Sequence, residues 1–269
     1  MVCVVTSRQP LGLPGEWVLP VPPLAYPAAA NTGSAQADQY EAVRLFFQQA
    51  RMTRPDFPLS VVAEPFAAQI CRLVQGHPLA LELAASWVDT LSCREIAAEI
   101  TQGISLLQDE TGQRPPRHAS ITQIMQQSWT RLSAAEQHVL NRMALFAGGG
   151  TRQAVQQITG ASLSMLKTLV GQSLVQMEVN ARQQPRYTLH QLVRQYAAAA
   201  LKTAGEWETG RSHHADYFAT YLSTQEPLLN TAKVIQAMQQ IQPEVDNLDT
   251  AWQWAADSGD CTFLPKRQR

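Results

Sequence analysis

The sequence predicts a mainly α-helical protein that contains one small β-hairpin. Apolar residues recur with helical spacing through most of residues 38–101. Further along, the segments LVQMEV (174–179) and RYTL (186–189) follow several helical patterns, and the first alternates as a strand does. Helical periodicity then returns over residues 211–257. These observations predict a helical unit, then helices with a hairpin, then a further helical region.

The beginning of the chain predicts one strand and a long loop. Residues 1–8 are mostly apolar and end at Arg8, which predicts a buried strand that presents an arginine at its end. Residues 9–37 are rich in Pro, Ala and Gly and predict a loop.

Four helices are predicted to form the next unit. The first lies near residues 38–51, and the second ends at Gly76. Pro78 follows in the first turn of the third helix, where its missing N–H costs nothing. Ser92 and Glu95 have capping-box spacing and predict a fourth helix over 93–101.

A polar linker with two prolines, residues 109–118, precedes a compact set of helices. Helices are predicted from Ile121 to Arg131, from Ser133 to Phe146, and after Thr151 and Ser162, which act as caps. The hairpin follows, and a last helix begins near His190 and continues to Lys202. Helices followed by a two-stranded hairpin are typical of a winged helix.

The last helical region supplies apolar side chains at helical spacing. We expect them to be buried, and they are Tyr217, Tyr221, Leu222, Ile235, Met238, Ile241, Leu248, Trp252 and Trp254. Helical pairs of this kind usually need stacked neighbours. No full repeat period is visible, so a helical array is only an expectation.

Composition restricts the class of protein. The chain has 269 residues, 45% hydrophobic and 16% charged, which fits a globular protein of two or more domains. No apolar run approaches the roughly 18 residues of a membrane span, and no basic leader precedes the first apolar run. We therefore expect a cytoplasmic protein without a membrane partner. Its four cysteines lack CxxC spacing and are predicted to be reduced packing residues: Cys3, Cys71, Cys93 and Cys261.

Charge is distributed unevenly along the chain. Residues 120–202 contain eight Lys and Arg against two Asp and Glu, whereas both flanks are net acidic. Such a basic middle could bind nucleic acid or phosphates, or could pair with its own acidic flanks.

Taken in order, several motifs resemble the back half of a STAND-class ATPase, the nucleotide-switched signalling family that includes the NB-ARC proteins. TSR at 6–8 and PLGLPGE resemble the sensor strand and the residues that follow it. AAQICRLVQGHPLALELAA, with Gly76-His77-Pro78, resembles the helical arm. SWTRLSAAEQHVLNRMALFAGG and YTLHQLVRQYA resemble the winged-helix arm, and PEVDNLDTAWQWA resembles the start of bacterial helical repeats.

The resemblance implies four parts. They are a remnant of the nucleotide-binding α/β domain (1–25), the helical arm (26–108), the winged helix (119–202) and a helical region similar to tetratricopeptide repeats (205–260).

The family binds phosphates with a P-loop, and this chain contains no Gly-Lys dipeptide and no strand ending in paired acids that could hold Mg²⁺. We therefore expect that the chain as given is not an enzyme, although a complete parent would be an ATPase. The alternatives are a truncated product and a genuine loss of the P-loop.

The resemblance assigns three residues to an adenine nucleotide, ADP or ATP. Arg8 would contact the terminal phosphate, Pro78 would pack on adenine, and His190 would bond the β-phosphate of ADP. The family pattern continues with an acid where this chain has Gln191. From the residues alone, each also has a structural role: a surface arginine, a helix-starting proline and a capping histidine.

Other candidate sites are weaker. His213, His214 and Asp216 could ligate a metal, but adjacent histidines on a helix point in different directions, which favours a solvated helix face. Gly148-Gly149-Gly150 lacks the Lys and Ser/Thr of a phosphate loop and predicts a turn.

The main functional hypothesis is that the chain is a nucleotide-controlled regulatory segment, which binds protein partners through the helical region at 205–260. A DNA-binding winged-helix regulator is the alternative, ranked lower because Lys167 is the only basic residue of the candidate recognition helix at 162–172. A non-catalytic remnant is the third hypothesis.

Overall fold

The computed structural model describes residues 3–7, 10–27, 39–57, 64–107, 120–179, 184–229 and 231–259. The chain divides into two compact units. The arm unit consists of Gly12–Leu132 and Gln191–Tyr196. The wing unit consists of Met1–Leu11, Ser133–His190 and Ala197–Arg269.

The arm unit contains the four helices that the sequence predicts as one unit, together with the helix predicted from Ile121, which the sequence places with the winged helix. They are α1 (Glu41–Thr53), α2 (Glu64–Leu73), α3 (Pro78–Ala85), α4 (Cys93–Gln102) and α5 (Ile121–Trp129). The predicted capping box starts α4: Ser92 Oγ accepts from the Glu95 backbone N–H, and the Glu95 carboxylate accepts from the Ser92 N–H. Helix α1 packs against α3, and α2 packs against α4.

The core of the arm unit is apolar. Phe46, Ile70, Leu81 and Ile100 are fully buried, and Leu192 joins the same cluster. Burial raises the pKa of the Cys71 thiol to about 12, so Cys71 is a packing residue, as predicted.

The helices of the wing unit follow the predicted order. They are α6 (Ala134–Met143), α7 (Arg152–Thr159), α8 (Leu163–Gly171) and α9 (Gln191–Thr203), whose first six residues belong to the arm unit. The capping box of Ser133 and Glu136 starts α6 as predicted, and the side chains of Thr151 and Ser162 cap α7 and α8.

The predicted hairpin is present, and a third strand joins it. Strand β2 (Gln176–Val179) pairs antiparallel with β3 (Pro185–Thr188), and β1 (Gly150–Thr151) pairs with the other edge of β3, which gives the order β1-β3-β2. The glycine run at 148–150 predicts a turn without a strand. Two residues are too few to show a strand period, so the sequence does not predict β1.

Three helices close the wing unit: α10 (Trp207–Leu229), α11 (Val234–Ile241) and α12 (Val245–Ser258). A single 3₁₀ turn at Gln242–Glu244 joins α11 to α12. Helix α10 packs against both. The expectation that all the apolar residues here are buried is wrong for Ile235, Met238 and Trp252, which are exposed.

The strand predicted over residues 1–8 is not formed by residues 3–7. Val4 and Val5 are exposed, and Cys3 is exposed rather than packed. A strand requires a neighbour to pair its N–H and C=O groups, and the sheet of the described residues contains only β1, β2 and β3. Cys261 lies outside the described residues.

None of the helices in the described part of the chain combines the length and the apolar character that crossing a bilayer requires.

Candidate functional site

Two regions contain the residues of functional interest, one in each unit. The first is the loop Gly76-His77-Pro78 of the arm unit. His77 is the N-cap of α3, where its Nδ1 accepts a hydrogen bond from the Ala80 N–H at 3.4 Å. Pro78 occupies the first turn of α3, as predicted, and it is exposed. An exposed proline ring at a helix start offers a rigid apolar surface.

This loop is packed closely against a preceding segment. Gly76 has φ of +67°, and its carbonyl accepts a hydrogen bond from the Leu24 N–H at 3.2 Å. A Cβ at Gly76 would lie 2.1 Å from the Leu24 carbonyl oxygen. Both the backbone angle and the contact therefore require glycine at this position.

The loop also meets the start of α9 within the arm unit. Gln75 Oε1 accepts a hydrogen bond from the Gln191 N–H at 3.1 Å. Gln195 Nε2 donates to the Ile100 carbonyl at 2.8 Å and ties the next turn of α9 to the same unit. The first N–H groups of a helix need an acceptor, and the Gln75 side chain supplies one.

The nucleotide-binding role of Arg8, Pro78 and His190 stays a prediction. Arg8 lies outside the described residues. Pro78 belongs to the arm unit, and His190, which is half-buried, belongs to the wing unit. Whether the three bind ADP or ATP together is a question for nucleotide titration.

The second region is a polar network in the wing unit that sequence reasoning did not find. Arg186 on β3 donates to three partners: Nε to the Gly148 carbonyl at 2.7 Å, Nη2 to the Gly149 carbonyl at 3.0 Å, and Nη1 to Glu244 Oε1 at 2.6 Å. Nη2 also lies 3.3 Å from Glu244 Oε2. The guanidinium therefore holds the carboxylate with two nitrogens, the strong geometry for this pair.

Asn247 completes this network from the first turn of α12. Its Nδ2 donates to the Gly149 carbonyl and to Glu244 Oε2, both at 2.9 Å, and its Oδ1 accepts from the Ala147 N–H at 2.9 Å. Asn247 is fully buried, and Glu244 is 4% exposed. We call Arg186, Glu244 and Asn247 the wing clamp. It holds the loop between α6 and β1 against α12.

One sequence signal could have indicated the wing clamp. Glu244 and Asn247 are spaced as i and i+3, and Ala251 and Ala255 continue the same buried face. Polar residues on the buried face of a helix require partners. The partners lie 58 to 100 residues away in the chain, and spacing cannot identify them.

The surface of α8 is polar but contains little charge. Its exposed residues include Ser162, Ser164, Lys167 and Thr168. Lys167 is the only basic residue among them, as the sequence indicates. Leu163 is also exposed.

Part of the basic character of the middle segment is neutralised inside the wing unit. Arg186 pairs with Glu244 from the acidic flank. Arg142 Nη1 donates to the Ile158 carbonyl at 3.2 Å, and it lies 3.2 Å from His213 Nδ1. The pair with Glu244 therefore neutralises the charge of Arg186, whereas the Ile158 carbonyl satisfies a donor of Arg142 without neutralising its charge.

The two histidines of α10 lie in different surroundings, and the prediction of a solvated helix face is wrong for His214, which is 2% exposed. His213 lies beside Arg142, whereas His214 is buried between the rings of Phe146 and Phe218. Among the described residues, no group of three or more potential ligands is close enough to hold a metal ion.

One part of the chain is similar to a known domain family. A winged helix-turn-helix domain family matches residues 132–202. This agrees with the observed order α6, β1, α7, α8, β2, β3 and α9.

Two kinds of mycobacterial relative match the chain. A Mycobacterium bovis protein and a Mycobacterium tuberculosis protein, each named "Putative HTH-type transcriptional regulator", are 29% identical over 97% of this chain and 29% of their own length. A second Mycobacterium bovis protein, named only as uncharacterized, is 33% identical over 77% of this chain and 51% of its own length. The chain thus spans about half, or less, of the length of these relatives.

Proposed function

We propose that this chain is a regulatory segment of a transcription regulator, and that its winged helix contacts the phosphate backbone of DNA. The proposal depends mainly on the exposed face of α8, which presents Ser162, Ser164, Lys167 and Thr168. Hydroxyl groups, a lysine and a helix N-terminus are the groups that proteins use to contact phosphates. The match to a winged helix-turn-helix family and the names of the two regulators support the same function.

This surface favours positioning on DNA over the reading of base sequence. Bidentate contacts to bases come mainly from Arg, Lys, Asn and Gln. Lys167 is the only residue of these four types in α8. Because Arg186 is held by Glu244, it is not free to neutralise a phosphate. We therefore expect weak binding with little sequence preference.

Electrophoretic mobility shifts over a range of salt concentrations would test this proposal. We expect the logarithm of the affinity for duplex DNA to fall with the logarithm of salt concentration with a slope of about −2 to −3, as for a few neutralised phosphates. Lys167→Ala should reduce the magnitude of the slope by about 1. Lys233→Ala, which removes an exposed lysine of the same unit, is the control and should change nothing. Binding that is absent or independent of salt would exclude the phosphate contacts.

A second function is favoured by the hydrogen bond between Gln75 and Gln191. This contact joins the loop that precedes Pro78 to the residue that follows His190 in the chain. The motif order of this chain resembles that of STAND-class ATPases. In those proteins the positions that correspond to Pro78 and His190 contact ADP. The second proposal is therefore that an adenine nucleotide controls the regulator once a P-loop is supplied, with Mg²⁺ accompanying ATP. A ligand that binds one state better than another shifts the population towards it.

Nucleotide titration would test the second function in a longer protein that supplies the P-loop. We expect it to bind ADP, and His190→Ala to weaken ADP about tenfold more than ATP, because about 1.4 kcal/mol of hydrogen bonding to the β-phosphate is lost. His138→Ala is the matched control, since His138 lies on the surface beside Glu206. If the variant weakens the binding of both nucleotides equally, His190 makes no contact that is specific to the ADP-bound state.

A further inference from the structure

Helix α8 presents one large apolar side chain on an otherwise polar surface. Leu163 is the first residue of α8 and is 61% exposed. Among the described residues of α6 to α9, it is the only large hydrophobic residue that is exposed. The other leucines of α8, Leu166 and Leu169, are buried in the wing unit. Leu163 therefore does not belong to the core, and its side chain can contact a ligand of the wing unit.

The neighbours of Leu163 are the residues that the proposed function assigns to DNA phosphates. Ser162 precedes it, Ser164 follows it, and both are exposed. Lys167 lies four residues further along, one turn later on the same face of the helix. Four residues correspond to a rise of about 6 Å along the helix axis. A duplex that contacts Lys167 through a phosphate therefore also lies against Leu163.

The hydroxyl groups of this face are largely engaged within α8 itself. Ser162 Oγ caps the helix and lies 2.9 Å from Ser164 Oγ, so one of these hydroxyls donates to the other. Thr168 Oγ1 donates to the Ser164 carbonyl at 3.1 Å. One hydroxyl hydrogen of the serine pair stays available for a phosphate. Apart from Lys167, the groups left for a base edge are apolar: the side chain of Leu163 and the methyl group of Thr168.

The charges around α8 favour an anionic ligand. Residues 137–177 contain no Asp or Glu, and the first turn of α8 has no acidic residue. The positive end of the helix dipole is therefore not neutralised by a carboxylate in its own first turn. An apolar residue at such a helix start suits a ligand that combines negative charge with exposed methyl groups, which a DNA duplex does.

We propose that Leu163 contacts the C5-methyl group of thymine in the major groove of DNA. This inference rests on the proposed function. In a helix-turn-helix, the first residues of the second helix meet base edges in the major groove, and α8 is the second helix, after α7. Of the four bases, thymine alone presents a methyl group there, and apolar side chains are its usual partners. Leu163 thus gives a modest preference for thymine to binding that is otherwise due to phosphates.

The size and the salt dependence of this preference follow from its apolar character. Burial of one methyl group against an apolar side chain strengthens binding about three- to fourfold. Phosphate contacts weaken as salt concentration rises, because they release counterions. A methyl contact releases none, so the preference for thymine should be the same at each salt concentration.

Electrophoretic mobility shifts with two duplexes that differ only in the thymine methyl group test the proposal. One duplex alternates deoxyadenosine and thymidine, and the second has deoxyuridine in place of every thymidine. We expect the 269-residue chain to bind the thymine duplex about three- to fourfold more tightly. The salt slope should be equal for both duplexes, because their phosphates are identical. Leu163→Ala should bind the two duplexes equally and keep the wild-type slope.

Ile235→Ala is the matched control, because Ile235 is an apolar residue of the same unit that is 70% exposed on α11. This variant should retain the wild-type ratio between the two duplexes. Circular dichroism of Leu163→Ala should match that of wild type, since Leu163 lies outside the core. Equal wild-type binding of both duplexes, or a ratio that persists in Leu163→Ala, overturns the methyl contact and leaves the phosphate contacts standing. Absence of binding to either duplex overturns the proposed function, and the methyl contact with it.

Discussion

Replacing Arg186 by Ala is expected to lower the free energy of unfolding of the wing unit by about 3 to 5 kcal/mol. The substitution leaves the Glu244 carboxylate buried without its counter-ion, and such losses are of this size. It also removes the side-chain donor to the Gly148 carbonyl and one of the two side-chain donors to the Gly149 carbonyl. The side chains of Arg186 and Glu244 are only 19% and 5% exposed, so water cannot readily replace the ion pair. Chemical denaturation followed by circular dichroism measures the change.

Arg152→Ala is the matched control for this prediction. Arg152 lies in the same unit at the exposed start of α7, and its loss should change stability by less than about 0.5 kcal/mol. Glu244→Gln should cost less than Arg186→Ala, since the amide retains one acceptor and no uncompensated negative charge remains. If Arg186→Ala and Arg152→Ala shift the transition equally, the wing clamp does not stabilise the unit.

Gly76→Ala is expected to destabilise the arm unit by about 3 to 5 kcal/mol. Alanine at a positive φ costs about 1 kcal/mol, and the new Cβ would meet the Leu24 carbonyl at 2.1 Å. Relieving that contact requires movement of the backbone, with loss of the Leu24 to Gly76 hydrogen bond. At about 3 °C per kcal/mol, the transition of this unit should fall by roughly 10 °C in differential scanning calorimetry.

Gly15→Ala separates two contributions to the loss of stability in Gly76→Ala: the steric contact of the new Cβ and the strain of a positive φ. Gly15 lies in the same unit with φ of +79°, but a Cβ at this position would meet no atom within 4 Å beyond those of its chain neighbours. The substitution should therefore cost only about 1 kcal/mol. Similar losses for the two variants would mean that the approach of Leu24 to Gly76 contributes little.

Local signals in the sequence predicted the helices well. Ser92 with Glu95 and Ser133 with Glu136 each start a helix because both capping groups lie within four residues of each other. Pro78 at the start of α3 follows from the same short-range chemistry.

Contacts between distant residues could not be predicted in this way. The wing clamp joins Arg186 to Glu244 across 58 residues, and the hydrogen bond from Gln191 to Gln75 spans 116. Periodicity also cannot distinguish between two apolar faces of one helix, which is why Met238 and Trp252 were expected to be buried. Whether Arg8, Pro78 and His190 share a nucleotide stays a prediction.

Because of the wing clamp, we expect the winged helix and α12 to unfold together. The winged helix-turn-helix match ends at residue 202, yet Glu244 and Asn247 neutralise and satisfy groups inside it. A protein trimmed at residue 202 would retain Arg186 without its carboxylate partner and the Ala147 N–H without its acceptor. The boundary of sequence similarity therefore lies inside the compact wing unit, which includes α12.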